Sequence, residues 1–250
     1  MSICFDKVSK SFGGKKVLDQ ISFEINKGEI FFIIGKSGVG KSVTLKHIIG
    51  LLKPEQGNIF LDECCVNELN SEELTILRQK CGMVFQHPAL LDFLNIKDNV
   101  CFGIRNQQLT AEELKKSACA KLALVHLNEK ILNQYPHEVS FGMQKRVSIA
   151  RALTLNPQYL LFDEPTTSLD PISKNAINDL ILELSRSLNV TSVVVSHDID
   201  CALKIADRIL VLEDGKILAL GTTTEIKNSK NPFLIEFLSE TFINSWDQVS

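Results

Sequence analysis

The run GKSGVGKS at 35–42 comes directly after the apolar stretch EIFFII at 29–34. Glycines at 35, 38 and 40 let a backbone wrap closely around phosphates with its N–H groups pointing inward. Lys41 supplies a cation for β- and γ-phosphates and Ser42 a hydroxyl for Mg²⁺, while Lys36, Ser37, Val39 and the adjoining Val43 complete the stretch that surrounds them. Such a loop needs a strand before it and a helix after it, and both patterns are present. At ordinary composition G-x-x-x-x-G-K-[ST] arises by chance in about 1% of chains this long. A nucleoside triphosphate with Mg²⁺ is the expected ligand.

Four further patterns bear on the chemistry after binding. YLLFDE at 159–164 is an apolar strand ending in two carboxylates. Asp163 suits Mg²⁺, directly or through water, and Glu164 suits orienting and deprotonating an attacking water. Gln86 follows the strand expected at 83–85, which could place its amide near the metal and that water. VSFGMQKR at 139–146 sets Ser140 and Gly142 at the start of a helix, an end that attracts anions. His197 closes TSVVVSH, within reach of a γ-phosphate. A lone Gln, a helix start or a strand-end His is ordinarily structural; the order and spacing of the set give it weight.

The elements that must position these residues are legible from periodicity. Residues 3–8 and 17–25 alternate as half-buried antiparallel strands about a Gly13-Gly14 turn. Helical spacing covers 41–52 with Pro54 ending it, and 57–61 returns as strand. From 70 to about 155 the patterns are mostly helical, with a candidate helix at 97–104 and a capping box, Thr110 with Glu113, opening a helix at 111–125. Strand 159–162, the Asp170-Pro171 helix start, helix 172–187 and strand 190–196 alternate as a parallel sheet requires. Residues 209–212 and 217–220 flank Asp214-Gly215, a hairpin signal.

With 250 residues, 44% hydrophobic and 23% charged, the chain can bury a full α/β core. A net charge of −3 and a pI near 6.0 give no general attraction to nucleic acid or an anionic membrane. MSICFDKVSK places charges where a signal peptide needs an apolar core, and no run approaches the roughly 18 apolar residues of a membrane span, so a cytoplasmic protein is expected. Seven cysteines without a C-x-x-C pair read as reduced thiols rather than a zinc or disulfide framework.

Taken in order along the chain, these motifs resemble those of the ATP-binding-cassette (ABC) ATPases. The resemblance implies an α/β ABC cassette: a P-loop parallel sheet, an antiparallel β layer and an inserted helical lobe. It implies one cassette over 1–240 with the lobe at about 88–157, and a short tail at 241–250. Phe12 matches the aromatic that stacks on adenine, residues 35–42 the Walker A loop and Gln86 the Q-loop. Val139 to Met143 match the signature, Asp163 and Glu164 the Walker B pair, Ser168-Leu169-Asp170 the D-loop and His197 the switch histidine. ATP and Mg²⁺ are then the cofactors, with Ser42, Gln86 and Asp163 toward the metal. Two copies are expected to sandwich two ATP molecules and drive a separate integral-membrane permease from the inner face of the cell membrane. No nucleic-acid partner is expected. The signature departs from the family at Phe141, where glycine is usual; its ring must point away from the nucleotide to allow close approach.

Within the family, GVGKSVTLKHIIGLLKP, PALLDFLNIKDNV and YPHEVSFGM, with Met143, are similar to Mla-type cassettes, which move phospholipids with an MCE-domain protein and small accessory proteins. Two other readings stay open. PHE before the signature and the Gln86 region recur in importers for methionine, another amino acid or a metal. Soluble ABC proteins acting on DNA or ribosomes usually carry two cassettes, a long coiled coil or a basic surface, which this chain lacks. Residues 87–99 are the expected permease contact, with Phe93 its exposed anchor, Asp92 its charge, and Leu90 and Leu94 in the core.

Overall fold

The computed structural model describes residues 2–232 and 234–237; the tail at 241–250, with Phe242, Ile243 and Trp246, lies outside the described residues. The chain runs through β1 (Ile3–Phe12), β2 (Lys15–Ile25), β3 (Ile30–Ile34), α1 (Lys41–Ile48), β4 (Gln56–Leu61) and β5 (Cys64–Cys65). Next come α2 (Ser71–Gln79), β6 (Cys81–Val84), α3 (Ile96–Val100), α4 (Ala111–Leu124), α5 (Phe141–Ala152), β7 (Tyr159–Asp163) and α6 (Pro171–Ser187). The last elements are β8 (Thr191–Ser196), α7 (Ile199–Ile205), β9 (Arg208–Glu213), β10 (Lys216–Thr222) and α8 (Thr223–Lys227). The chain divides into two units: residues up to 74 together with those from 191 onward, and Thr75–Val190.

In the first unit β2, β1, β4 and β5 form an antiparallel layer in that order. Gly13 and Gly14 turn β1 into β2, both at positive φ. A second layer places β3 between β8 and β9, parallel to both, with β10 antiparallel to β9. β3 and β8 are buried at every position, as parallel strands covered on both faces must be. Phe5 stacks on Phe23 (4.6 Å between centroids) and Phe23 on Phe31 (5.7 Å), joining the two layers. Each such ring, fully buried, contributes about 1.5–3 kcal/mol. Asp214 and Gly215, both at positive φ, make the β9–β10 turn.

α1 ends at Ile48, four residues short of the helix expected over 41–52. Gly50 takes φ +63°, its N–H reaches His47 O, and Leu51 N reaches Lys46 O; a left-handed glycine after the last turn closes a helix before any proline is met.

In the second unit β6 and β7 are parallel neighbours, with α5 packed on β6 and α3 and α4 on α5. The stretch expected as one helix at 97–104 is α3 and then a 3₁₀ turn, Cys101–Ile104. The capping box at α4 is present: Thr110 N donates to Glu113 Oε2 (2.7 Å) and Glu113 N to Thr110 Oγ1 (3.3 Å). Thr110→Ala is expected to lower stability by about 1 kcal/mol, read as a drop of roughly 2–4 °C in a thermal melt. Asp170 caps α6, accepting from Ile172 N and Ser173 N at 3.0 Å each, with Pro171 in the first turn. Among the described residues no helix is long and apolar enough to cross a membrane. The seven cysteines are free thiols.

Candidate nucleotide-binding site

β3 delivers the chain to Gly35, where a Cβ would run into the Leu212 carbonyl. Gly38 (φ +82°) and Gly40 (φ +109°) occupy conformations that side-chain-bearing residues rarely adopt, and a Cβ on Gly40 would lie 2.8 Å from Val17 O. Gly40 is the N-cap of α1 and makes no side-chain cap, whereas α4, α5 and α6 are capped by Thr110, Ser140 and Asp170. The helix that starts at Lys41 thus presents its positive end to whatever the loop surrounds. Lys41 is 6% exposed and lies along the loop, donating to Gly35 O (2.8 Å) and Lys36 O (3.1 Å). Lys36, Ser37 and Gly38 are exposed, and Val39, Ser42 and Val43 half-buried.

Parallel register brings His197 to the same sheet edge. Ile34 pairs with Ser196, so Gly35 and His197 are the next residues on adjacent strands, and His197 is exposed. Phe12 ends β1 with its ring 46% exposed and the Lys10 ammonium 5.5 Å from its centroid.

The second unit gathers the other candidates by the same means. Val84 pairs with Phe162, so Gln86 and the Asp163-Glu164 pair leave one edge of β6 and β7. Asp163 is buried at the end of β7; Glu164 comes next at φ +48°, half-buried, its Oε2 accepting from the Thr167 hydroxyl (3.4 Å). The Ser42 hydroxyl in the first unit, and the Asp163 carboxylate and Gln86 amide oxygen in the second, are each hard oxygen donors of the kind Mg²⁺ prefers. Among the described residues no group of three or more His, Cys, Asp or Glu gathers as an all-protein metal cage.

α5 starts with Ser140, whose Oγ accepts from Met143 N (3.3 Å). A Cβ on Gly142 would lie 3.7 Å from the Ser173 hydroxyl. Asp170 is exposed, and the hydrogen bonds from Ser173 and Ile172 hold its carboxyl below the usual range. Phe141 is half-buried in the first turn, its ring centroid 5.7 Å from the ammonium of Lys145 one turn on. Lys145 is itself 1% exposed, and burial pushes its amine down to about 8.

Phe93 is 76% exposed and Asp92 exposed, with Leu90, Leu91 and Leu94 half-buried rather than core. Asn99 shapes this loop: fully buried, its side chain accepts from Leu91 N and donates to the carbonyls of Leu91, Leu94 and Asn95 at 2.8–3.1 Å. Sequence reasoning passes over Asn99, because an Asn in NIKDNV reads as the polar face of a short helix; its backbone partners are visible only once the loop is folded.

A glycine loop between a buried parallel strand and an uncapped helix, with a lysine drawn across it, defines a P-loop nucleotide-binding fold. The chain belongs to the ABC transporter family, whose model matches residues 18–167. It is 41% identical over 90% of its length to the methionine import ATP-binding protein MetN of Carboxydothermus hydrogenoformans. It is 39% identical over 94% of its length to the glycine betaine/carnitine/choline transport ATP-binding protein OpuCA of Bacillus subtilis. The chain spans 66% and 62% of those two proteins' own lengths. Among solved structures, the ATP-binding cassette MJ0796, a dimer in a post-hydrolysis state bound to ADP and Pi, superposes with a TM-score of 0.80 at 34% identity, covering 88% of this chain and 98% of that one. CbiO1 of Clostridium perfringens, part of the ABC transporter complex cbiONQ, gives 0.84 at 31% identity, covering 91% of each chain. The ABC cassette fold expected from the motifs is the fold observed.

Proposed function

We infer that this chain is the ATP-hydrolysing, Mg²⁺-dependent part of an ABC importer that serves a small solute such as an amino acid or a betaine. The observation that carries the ATPase reading is the 35–43 loop, with its glycine conformations, uncapped α1 and Lys41 laid across it. The importer reading rests on the named relatives, which import methionine or transport betaine, carnitine and choline. No support for the phospholipid expectation comes from these relatives; Met143 and the stretches at 38–54, 88–100 and 135–143 are all that speak for it.

In this reading Phe12 stacks on the adenine, and the amides of residues 35–43 with the Lys41 ammonium hold the phosphates. Mg²⁺, when bound to Ser42, Asp163 and Gln86, supplies positive charge at the phosphates. The Glu164 carboxylate orients the attacking water and takes its proton, and His197 holds the γ-phosphate end. Ser140, Gly142 and Met143 of one copy, with the 168–170 turn beside them, act on the nucleotide of a second copy, so that hydrolysis requires a homodimer. Residues 1–240 act as one cassette, with the lobe at about 88–157.

The partner is an integral-membrane permease that takes the exposed Phe93 into a pocket and pairs Asp92 with a basic residue. Phe93→Ala combined with Asp92→Lys is expected to leave ATP binding intact and abolish copurification of the permease from detergent-solubilised membranes. Wild-type yield of permease with the double variant would remove this loop from the interface. Identification of the copurified proteins tests the importer reading: an MCE-domain protein among them, with phospholipid transfer in place of methionine or betaine uptake, would overturn it.

A further inference from the structure

The segment after β6 turns its backbone carbonyls onto α5, and two cations meet them there. Lys145 Nζ donates to Gln86 O. The Arg151 guanidinium donates to Pro88 O (3.0 Å) and Ala89 O (2.7 Å). Ala89 is held at φ +49°, a conformation such a residue rarely adopts without being made to by its surroundings. The two donors lie on α5, in the helix that Ser140 caps, and the Phe141 ring lies on the lysine's ammonium.

A buried lysine normally needs a carboxylate or several acceptors. Here the charge is directed at a main-chain carbonyl of the residue whose side-chain amide is the proposed metal and water ligand. β6 alone would leave residue 86 at the frayed end of a short strand; the clamp references it to a twelve-residue helix instead. We propose that Lys145, aided by Arg151, is a positioning residue for hydrolysis, fixing the Gln86 segment to the signature helix so that the two move as one piece. This rests on the reading of Gln86 as a site residue.

Lys145→Met keeps an unbranched side chain of similar length and helix preference and removes the charged donor. In the full chain, with MgATP as the probe, kcat is expected to fall about tenfold or more while the KM for ATP stays within about threefold, since the 35–43 loop is untouched. Lys145→Arg, which keeps a charged donor, is expected to recover kcat to within about threefold of wild type. Hydrogen exchange of the amides of His87 and residues 89–91 should quicken in the Met variant and not in the Arg variant. A Met variant with kcat within twofold of wild type, or an Arg variant as impaired as the Met one, would overturn the proposal. If the Met variant fails to fold, Arg151→Lys decides: it replaces the guanidinium's two-nitrogen fork by a single nitrogen, so faster exchange at His87 and 89–91 with lowered kcat supports the clamp, and wild-type values in both refute it. Should the wild-type chain not hydrolyse MgATP, the ATPase reading fails, and the exchange measurement alone decides whether the clamp exists.

Discussion

Glu164→Gln is expected to bind ATP as tightly as the wild type, within about threefold, and to lose about 10²–10⁴-fold in kcat, the usual worth of a positioned general base. Asp163 ends β7 buried, while Glu164 is turned off the strand by its left-handed backbone and is the more accessible of the two carboxylates. A carboxamide has the same shape and can still accept from the Thr167 hydroxyl, but it cannot take a proton from water. With hydrolysis stopped, the ATP-bound dimer should accumulate, and size-exclusion chromatography with MgATP reads it directly. Single-turnover hydrolysis within a few-fold of wild type would assign the base elsewhere.

Lys41→Ala fails one step earlier. A charge-assisted hydrogen bond to phosphate contributes about 1.5–3 kcal/mol, so the MgATP Kd should rise by roughly 10–100-fold in a calorimetric titration. The lysine also bridges the carbonyls of Gly35 and Lys36, so its loss loosens the loop itself, and binding of ADP should weaken alongside that of ATP. Undiminished ATP affinity would mean that the loop's amides carry the phosphates without it.

The glycine loop, the carboxylate-ended strand, the Asp214-Gly215 hairpin and the Thr110–Glu113 box are legible in the sequence because each is a local pattern with a local cause. The end of α1 is not: Pro54 is a strong stop signal, and the earlier stop at Gly50 rests on a φ that no residue type announces alone. α7 and α8 escape notice because seven and five residues are too few for helical periodicity to stand out. The departures that matter most are Asn99 and Lys145. A polar residue is taken for surface by default; Asn99 is buried by main-chain groups four to eight residues before it, visible only once the loop folds, and Lys145 by the carbonyl of Gln86, 59 residues away.

The pairing of Ile34 with Ser196 makes His197 a matter of arithmetic as much as of residue type. Between Thr191 and His197 the chain has one spelling length that works. Deleting a single valine from β8 would draw the imidazole back by about 3.3 Å and carry it to the opposite face of the sheet. Substitutions along β8 that respect size would be forgiven while indels would not; at the exposed Gly13-Gly14 turn the order reverses, because φ of +56° and +81° strains any side chain even though a Cβ there would meet nothing within 4 Å, while the open space leaves the turn's length free to change. Drift in this protein should therefore be written as changes of letter in the buried strands and as changes of length at the turns.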